Sequence, residues 1–278
     1  MALDELPPQE PLTPGGERFG REAMKRGGAL TGTLVQYGEH PQQTALVFPA
    51  KRPQGPALFW YHGGNWTNGL KEWFSFMAPA LNARGITFVT FDYRLAPGEH
   101  FPVGFEDCLY GFDAVYRNLP AYGGDPERVF VGGHDAGAHY AALAALKAGW
   151  RDALSLPNTC VKGCLPVSGF YDFSDSAGFT RRPIFLGPPE HKPERFASAV
   201  RYAYPQAPAF LVTYGSEDLP HAKMQGHALV KALRAENVTV EELIVQGADH
   251  YSAALSLVED TSPWLAAACW MMGVSPMA

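Results

Sequence analysis

The chain has 278 residues, of which 46% are hydrophobic and 18% are charged, and these values are typical of a globular protein with one large α/β domain. The formal net charge of -6 leaves no basic face, which argues against nucleic acid and anionic membranes as partners. Four scattered cysteines are too few for a disulfide framework in a chain of this length.

The N-terminus lacks the basic start and apolar run of a secretion signal. No uncharged apolar stretch reaches the roughly 18 residues that span a bilayer. We therefore expect a cytoplasmic protein without a membrane anchor.

The predicted elements follow an N-terminal arm over residues 1–30, which is rich in Pro, Gly and charge and lacks apolar periodicity. We expect this arm to wrap on the surface or to be partly disordered. Short β-branched and aromatic runs then alternate with helical patterns, which is typical of a mostly parallel sheet covered by helices. The predicted strands are 33–38, 44–50, 57–63, 85–93, 128–133, 161–169, 209–215 and 240–247, and the predicted helices are 71–84, 103–118, 136–149, 221–236 and 262–272.

The alternation breaks at about 170–207, where Pro, Gly and aromatic residues are frequent. We expect this segment to form a small cap over the carboxyl ends of the strands, where open α/β sheets place their sites. The overall expectation is an α/β fold with about eight strands in one domain over 31–278. Within the cap, Arg181 and Arg182 could bind a substrate carboxylate, although an exposed, solvated pair is the commoner arrangement.

Residues 132–139, GGHDAGAH, lie between an apolar strand and an alanine-rich helix. Gly133 and Gly137 have the spacing of a nucleophile elbow, a sharp strand-to-helix turn in which the two backbones approach closely. The turn presents its central side chain, here Asp135, to a cleft; a helix N-cap is the alternative role for this residue. His134 and His139 lack the spacing of metal ligands, which favours packing or surface roles for both.

Three further segments follow predicted strands and complete a catalytic pattern. WYHGGNW (60–66) offers backbone N–H groups for an oxyanion hole. YGSEDLP (214–220) offers Asp218, with Glu217 as the less favoured choice, and QGADHYS (246–252) offers His250 beside Asp249. The order of elbow, acid and histidine is that of an α/β-hydrolase, so the predicted catalytic set is Asp135, Asp218 and His250.

These motifs resemble those of the kynurenine-formamidase-like and hormone-sensitive-lipase-like esterase group of α/β-hydrolases. HGGNW is similar to the group's oxyanion loop, DYRLAPGEHFP (92–102) to its DYRLAPE stretch, and GGDPERVFVGGHDAGAH (123–139) to the segment that leads into its elbow. The likeness runs from about residue 30 to the end and leans towards the formamidase-like branch, because Asn65 stands where the other branch usually has a third glycine. The resemblance implies oxyanion amides from Gly63, Gly64, Asn65 and Ala136, with His250 as the base and Asp218 as its orienting acid.

One position departs from that group, because Asp135 stands where those esterases carry serine. Attack by aspartate on an ester gives an intermediate that mostly collapses backwards, since a carboxylate, with a parent pKa of about 3.9, leaves far more readily than an alkoxide. Displacement at saturated carbon avoids this problem, and epoxide hydrolases and dehalogenases, which are related by fold, carry aspartate at the elbow. Two carboxylates beside His250 would also favour its charged form, which is a poor general base.

Three functions therefore stay open. The first is a hydrolase of small carboxylic esters or formamides, which the whole-chain resemblance favours and Asp135 opposes. The second is an aspartate-nucleophile hydrolase of epoxide or carbon-halogen bonds, which Asp135 favours and the esterase-like loop opposes; Ala136 cannot bind the leaving group, and Trp66 and Asn65 compensate only in part. The third is a non-catalytic, ligand-binding member of the fold.

The expected substrate pocket is aromatic and contains Trp66, Tyr171, Phe173 and Tyr251. For Tyr171, Phe173 and Tyr251, together with Phe179 and Phe185, packing of the rings on one another is the alternative. The expected partner is a small-molecule substrate, no cofactor or metal is implied, and a homodimer is left open as the oligomeric state.

Overall fold

The computed structural model describes residues 7–50, 54–177, 179 and 182–277. Its centre is an eight-stranded sheet with the strand order β1-β2-β4-β3-β5-β6-β7-β8. The strands are β1 (Thr33–Gln36), β2 (Thr44–Phe48), β3 (Gly55–Tyr61), β4 (Thr87–Phe91), β5 (Gly124–His134), β6 (Gly163–Val167), β7 (Ala209–Gly215) and β8 (Val240–Val245). β1 and β4 pair antiparallel with β2, and the other neighbours are parallel. The expected α/β fold with a mostly parallel sheet is confirmed.

Helices cover both faces of this sheet. They are α1 (Pro14–Gly27), α2 (Ala78–Ala83), α3 (Val103–Asn118), α4 (Ala136–Leu146), α5 (Trp150–Ala153), α6 (Glu194–Ala197), α7 (Pro220–Ala235), α8 (His250–Leu255) and α9 (Pro263–Met271). One core lies between the sheet and α3, α4 and α7. The other core lies between the sheet and α1, α2 and α9. In the part of the chain that the structure describes, none of these helices is both long and apolar enough to cross a membrane.

The helix predicted over 71–84 is divided in the structure. Lys71–Met77 forms a 3₁₀ helix, and α2 continues from Ala78. Pro79 lies in the first turn of α2, where its missing N–H cannot continue an α-helical hydrogen-bond ladder from the preceding turn. The division therefore follows from the position of one proline.

Residues 14–27 of the N-terminal arm form α1, which the sequence analysis did not predict as a helix. Thr13 caps it by accepting a hydrogen bond from the Gly16 amide, and Pro14 occupies its first turn. Phe19 and Ala23 are the buried apolar side chains of this helix, and the other buried residues are Gly16, Gly20 and Gly27. The expectation that this segment lacks periodicity was wrong, because its charged residues segregate on one side of the helix and its small and aromatic residues on the other. The buried side of α1 packs against the 3₁₀ helix.

In its described part, the segment 170–207 contains several short helical turns. These are 3₁₀ turns at Asp175–Ala177, Ile184–Leu186, Pro189–His191 and Ala199–Tyr202, together with α6. The predicted Arg181 lies outside the described residues. Arg182 contacts Glu194, with 2.5 Å between Nε and Oε1, so its guanidinium is engaged within this segment.

Candidate active site

The turn between β5 and α4 has the strained geometry of an elbow. Asp135 adopts φ 54° and ψ −116°, a conformation that L-residues rarely adopt. A Cβ atom on Gly137 would lie 1.9 Å from the carbonyl oxygen of Tyr61, so the turn needs glycine there. The Asp135 side chain makes no capping hydrogen bond to α4, and the alternative N-cap role is not observed. The turn instead directs this carboxylate to the neighbouring loop.

The loop after β3 holds the Asp135 carboxylate with two backbone amides. The amides of Gly64 and Asn65 donate to Asp135 Oδ2 over 2.8 and 2.7 Å. Gly64, Asn65 and Trp66 all have positive φ, at 130°, 53° and 62°. Such consecutive residues turn their N–H groups into an anion-binding concavity. One oxygen of Asp135 thus occupies the position of an anion bound by these two donors.

The buried side chain of His62 makes a hydrogen bond to the backbone of this loop. Burial lowers the pKa of His62 to about 4, so the ring is neutral at pH 7. Its Nδ1–H donates to the Gly63 carbonyl over 2.8 Å, and its ring stacks on Tyr93 with centroids 4.3 Å apart. The buried Asp92, which is paired with Lys71 over 2.6 Å, lies 3.6 Å from Nε2. The peptide that presents the Gly64 amide is therefore fixed on its carbonyl side.

His250 and Asp218 form a hydrogen-bonded pair that faces Asp135. His250 Nδ1 donates to Asp218 Oδ1 over 2.9 Å, and Nε2 lies 3.9 Å from Asp135 Oδ1. Asp218 also accepts hydrogen bonds from the Ser168 hydroxyl over 2.5 Å and from the Leu219 amide over 2.7 Å. The structure thus selects Asp218 over Glu217 as the partner of His250 and brings the three predicted catalytic side chains together.

The charges around His250 favour its protonated form. Burial by itself would lower the pKa of His250, but the hydrogen bond to Asp218 and the negative charge of Asp135 outweigh burial and raise it above 6.5. Burial likewise opposes ionisation of Asp218, yet its bonds from His250 and Ser168 lower its pKa below 3.8. Asp249 takes a separate role, because its side chain caps α8 together with Ser252. A charged imidazole between two carboxylates is the arrangement that the sequence led us to expect.

A cavity of about 260 Å³ lies above these residues. Asp135, His250 and the loop residues Gly63, Gly64 and Asn65 form one side of it. Its remaining wall is mostly apolar and includes Pro11, Leu12, Thr13, Phe19, Trp73, Phe170, Leu219 and Tyr251. The N-terminal segment therefore contributes directly to the site.

Of the four predicted pocket residues, Tyr251 lines this cavity and the other three do not. Trp66, Tyr171 and Phe173 are almost completely buried, in agreement with the alternative that cap aromatics pack on one another. Trp66 stacks on Phe185 with centroids 4.0 Å apart. The Trp66 Nε1–H donates to His139 over 3.0 Å, so this N–H is not available to a leaving group.

Gly63 and Ala136, the other two residues expected to supply oxyanion amides, lie in different environments. Gly63 lines the cavity. Ala136 is fully buried in the first turn of α4 and is not part of the cavity wall. Within the residues described, no group of three or more His, Cys, Asp and Glu side chains could hold a metal ion.

Sequence reasoning missed three features of the site: Ser168, the contacts of His134, and the wall formed by α1. Ser168 directly follows β6, so the rule that located Asp218 and His250 at strand ends could have found it. The N-terminal wall gave no comparable signal, because its contacts join residues far apart in the chain. Thr13 Oγ1, for example, lies 3.2 Å from the Tyr251 hydroxyl.

The family to which the chain belongs agrees with this geometry. Residues 58–254 match the family described as the alpha/beta hydrolase fold, and the match includes the loop after β3, the turn at Asp135, Asp218 and His250. The chain is therefore a member of that family.

Individual relatives and solved structures carry esterase and formamidase names. A probable isoprenylcysteine alpha-carbonyl methylesterase of Oryza sativa subsp. japonica is 28% identical, over 78% of this chain and 56% of its own length. The chain thus spans just over half the length of that relative. The kynurenine formamidase of Danio rerio is 25% identical, over 86% of this chain and 82% of its own. A hyperthermophilic esterase from the archaeon Pyrobaculum calidifontis has the same fold, with a TM-score of 0.75, 22% identity and 93% of each chain covered.

Proposed function

We propose that this protein is a hydrolase whose site is of the esterase type and accepts small carboxylic esters or formamides. One observation carries the proposal: the Gly64 and Asn65 amides and the imidazole of His250 converge on the side chain at the elbow, with Asp218 behind the imidazole. Ester and amide hydrolysis needs these parts, namely donors for a developing oxyanion and a proton carrier beside the nucleophile. The esterase and formamidase names among its relatives support the same substrate classes.

The size of the cavity supports small substrates. Its volume of about 260 Å³ lies below the range of roughly 300–1,000 Å³ that is usual for ligand pockets. Phe19, Trp73 and Tyr251 supply an aromatic wall for a short acyl or aryl group.

Asp135 limits this reaction in two ways. If Asp135 attacks an ester, its carboxylate is a better leaving group than the alkoxide of the substrate. The tetrahedral intermediate therefore collapses back to the ester. Asp135 also accepts the hydrogen bonds of both loop amides, which a substrate carbonyl oxygen would need. A serine side chain is shorter by one heavy-atom bond and carries no second oxygen, so it would leave these amides free.

The test compares the protein with its Asp135→Ser and Asp135→Asn variants on a short-chain aryl ester and on an aryl formamide. We expect Asp135→Ser to raise kcat/KM at least about 100-fold, because a single oxyanion donor is worth 10²–10³ in rate. Asp135→Asn is the matched control, since it removes the charge but supplies no hydroxyl nucleophile. The gain should disappear in the double variant Asp135→Ser/His250→Ala.

An unchanged rate on introducing serine would contradict the proposal. If the protein and Asp135→Ser were both inert towards every ester and formamide yet bound the corresponding acids, a non-catalytic binding function would replace it.

A second function, aspartate-nucleophile displacement at saturated carbon, is favoured by the way Asp135 is held. Oδ2 rests on two amides, which leaves Oδ1 on the side of His250 as the attacking atom. Attack would form an alkyl ester on Oδ1 while the carbon-oxygen bond of an epoxide breaks and its oxygen takes the proton of the charged His250, or while a carbon-halogen bond breaks and halide departs. In the halide reaction, His250 loses its proton to solvent once the ester has removed the charge of Asp135. Neutral His250 would then take a proton from water, whose hydroxide adds to the ester carbonyl carbon, and the imidazole would pass this proton to the departing alkoxide, which releases the alcohol and restores the carboxylate.

An epoxide and a haloalkane tested on the same preparations separate the two functions. Displacement predicts turnover that both Asp135→Ser and Asp135→Asn abolish. In heavy-oxygen water, a single turnover should then label Asp135 and leave the product alcohol unlabelled. Label in the alcohol would instead indicate direct attack by water.

A further inference from the structure

His134, the residue before the elbow aspartate, makes a hydrogen bond that the proposed reaction does not explain. The side chain is 2% exposed, and its Nε2 lies 2.8 Å from the backbone carbonyl oxygen of His250. A carbonyl oxygen only accepts, so Nε2 carries the hydrogen and Nδ1 carries the lone pair. Burial lowers the pKa of His134 to about 4, which keeps the ring in this neutral form at pH 7.

The same ring leaves a buried acceptor without a partner. Nδ1 of His134 has no hydrogen bond to any described residue and no contact with solvent. An unmade bond of this kind costs free energy, and an apolar side chain of similar shape would avoid the cost. Packing therefore does not account for histidine at this position. Compared with such an apolar side chain, histidine adds an N–H donor to the backbone carbonyl of His250.

The His134 ring also supports the His250 ring. The two ring centroids are 4.6 Å apart, and Phe19 and Phe74 pack on His134 at 5.8 and 6.1 Å. The His134 ring is thus packed between α1, the 3₁₀ helix Lys71–Met77 and His250. The other ionisable groups that act on His250 are Asp135, Asp218 and Asp249.

We propose that His134 is a positioning residue for His250. The Nε2–H of His134 donates to the backbone carbonyl of His250, and the His134 ring packs against the His250 ring. These contacts keep Nδ1 of His250 on Asp218 while Nε2 of His250 faces residue 135. This role is independent of which nucleophile the elbow carries.

The decisive comparison is between His134→Leu, which removes the donor and the unpartnered acceptor together, and His134→Gln, which retains an N–H donor. NMR titration of the His250 ring in the otherwise unchanged protein reads its position without any substrate. In His134→Leu we expect the pKa of His250 to fall towards 6.5 and its Nδ1 proton to exchange with water more rapidly. His134→Gln should stay close to the starting protein in both respects. A His250 pKa and exchange rate that are unchanged in His134→Leu would overturn the proposal.

A kinetic comparison, which rests on the proposed function, uses the same substitutions in the Asp135→Ser protein. We expect His134→Leu to lower kcat at least about 10-fold with a smaller change in KM, because a misplaced proton carrier slows the chemical step more than the altered cavity wall at residue 134 weakens binding. His134→Gln should restore most of the loss. Equal loss in both variants, or a change confined to KM, would indicate packing alone.

Two precautions keep the outcomes separate. If Asp135→Ser has no esterase activity, the proposed function fails while the NMR comparison still decides the role of His134. If His134→Leu does not fold, as judged by thermal unfolding, His134→Phe provides the same loss of donor with a ring retained.

Discussion

At the scale of single residues, the site is defined by an aspartate whose two oxygens have different partners. Oδ2 of Asp135 accepts from two backbone amides, while Oδ1 lies 3.9 Å from the imidazole of His250. With Asp218 on the opposite side, the imidazole has a carboxylate at each nitrogen. Such a site holds a positive charge on histidine more readily than a site with serine at the elbow would.

Replacing either carboxylate by the matching amide should lower the pKa of His250. We expect Asp218→Asn to have the larger effect, because it removes the charge of the group that accepts the His250 Nδ1 hydrogen bond over 2.9 Å, whereas Asp135→Asn removes a charge at 3.9 Å. NMR titration of the His250 ring measures both shifts. Asp152→Asn, at an exposed position of α5, should leave the pKa unchanged. A larger shift from Asp135→Asn would show that the direct hydrogen bond is not the main stabilising contact.

At the scale of elements, the strand, elbow and helix from β5 to α4 form one unit that depends on close backbone contact. Cβ atoms on Gly133 and Gly137 would each fall within 2.7 Å of backbone atoms of the elbow or of Tyr61. All eleven residues of α4 are buried, so this helix cannot move aside. The positions of both glycines are therefore set by the elbow and by the strand beside it.

Gly137→Ala should destabilise the protein severely. The new methyl group would meet the Tyr61 carbonyl at 1.9 Å inside a close-packed core, and we expect a loss of at least about 3 kcal/mol in the free energy of unfolding, measured with urea. Gly98→Ala is the matched control. That site is exposed, with 3.5 Å to its nearest neighbour, and its change should stay within about 0.5 kcal/mol. A mild effect at Gly137 would mean that the elbow can relax.

The N-terminal segment is the second element that shapes the site. Its Gln9 side chain makes two hydrogen bonds to the backbone of Gly69, over 2.9 and 3.0 Å, and so reaches the loop after β3. Arg26, at the end of α1, donates to the Leu255 carbonyl over 2.9 Å beside α8. The segment therefore links the loop that carries the amides to the helix that begins at His250.

At the scale of the whole molecule, buried histidines set how stability depends on pH. Burial lowers the pKa values of His62 and His134 to about 4 and that of His139 to about 3. These three groups are neutral in the folded protein, but they bind protons in the unfolded chain once the pH falls below about 6.5. His250 behaves oppositely, because its pKa is raised and its contribution to stability is present below pH 6.5 and lost as the pH rises through its folded value.

We therefore expect the free energy of unfolding to fall as the pH is lowered from about 6.5 towards 4. Each of the three neutral histidines adds up to about 1.4 kcal/mol per pH unit to this slope. Urea unfolding at several pH values measures the slope, and His139→Gln, which loses one titrating group, should make it shallower by about one such increment. A stability that is flat over this range would contradict the predicted protonation of the unfolded chain.

The sequence by itself determined the fold class and predicted three side chains that the structure brings together at the candidate site. Alternating strand and helix patterns, small residues around Asp135, and polar residues directly after β7 and β8 are local features, and parallel strands bring their carboxyl ends to one edge. That rule is enough to place Asp135, Asp218 and His250 together before any coordinates are known.

Only the tertiary structure decided which groups donate hydrogen bonds to Asp135 and Asp218, and which residues form the wall of the cavity. The bonds from Gly64 and Asn65 to Asp135 join residues about 70 positions apart, and those from Ser168 to Asp218 and from His134 to His250 join residues 50 and 116 apart. Trp66, Tyr171 and Phe173 are aromatic side chains of the kind expected in a pocket, but they are buried within the core. Phe19 reaches the cavity instead, from a helix whose buried side carries mostly small residues. Periodicity reports which face of an element is apolar, while the partner that covers that face depends on packing between distant parts of the chain.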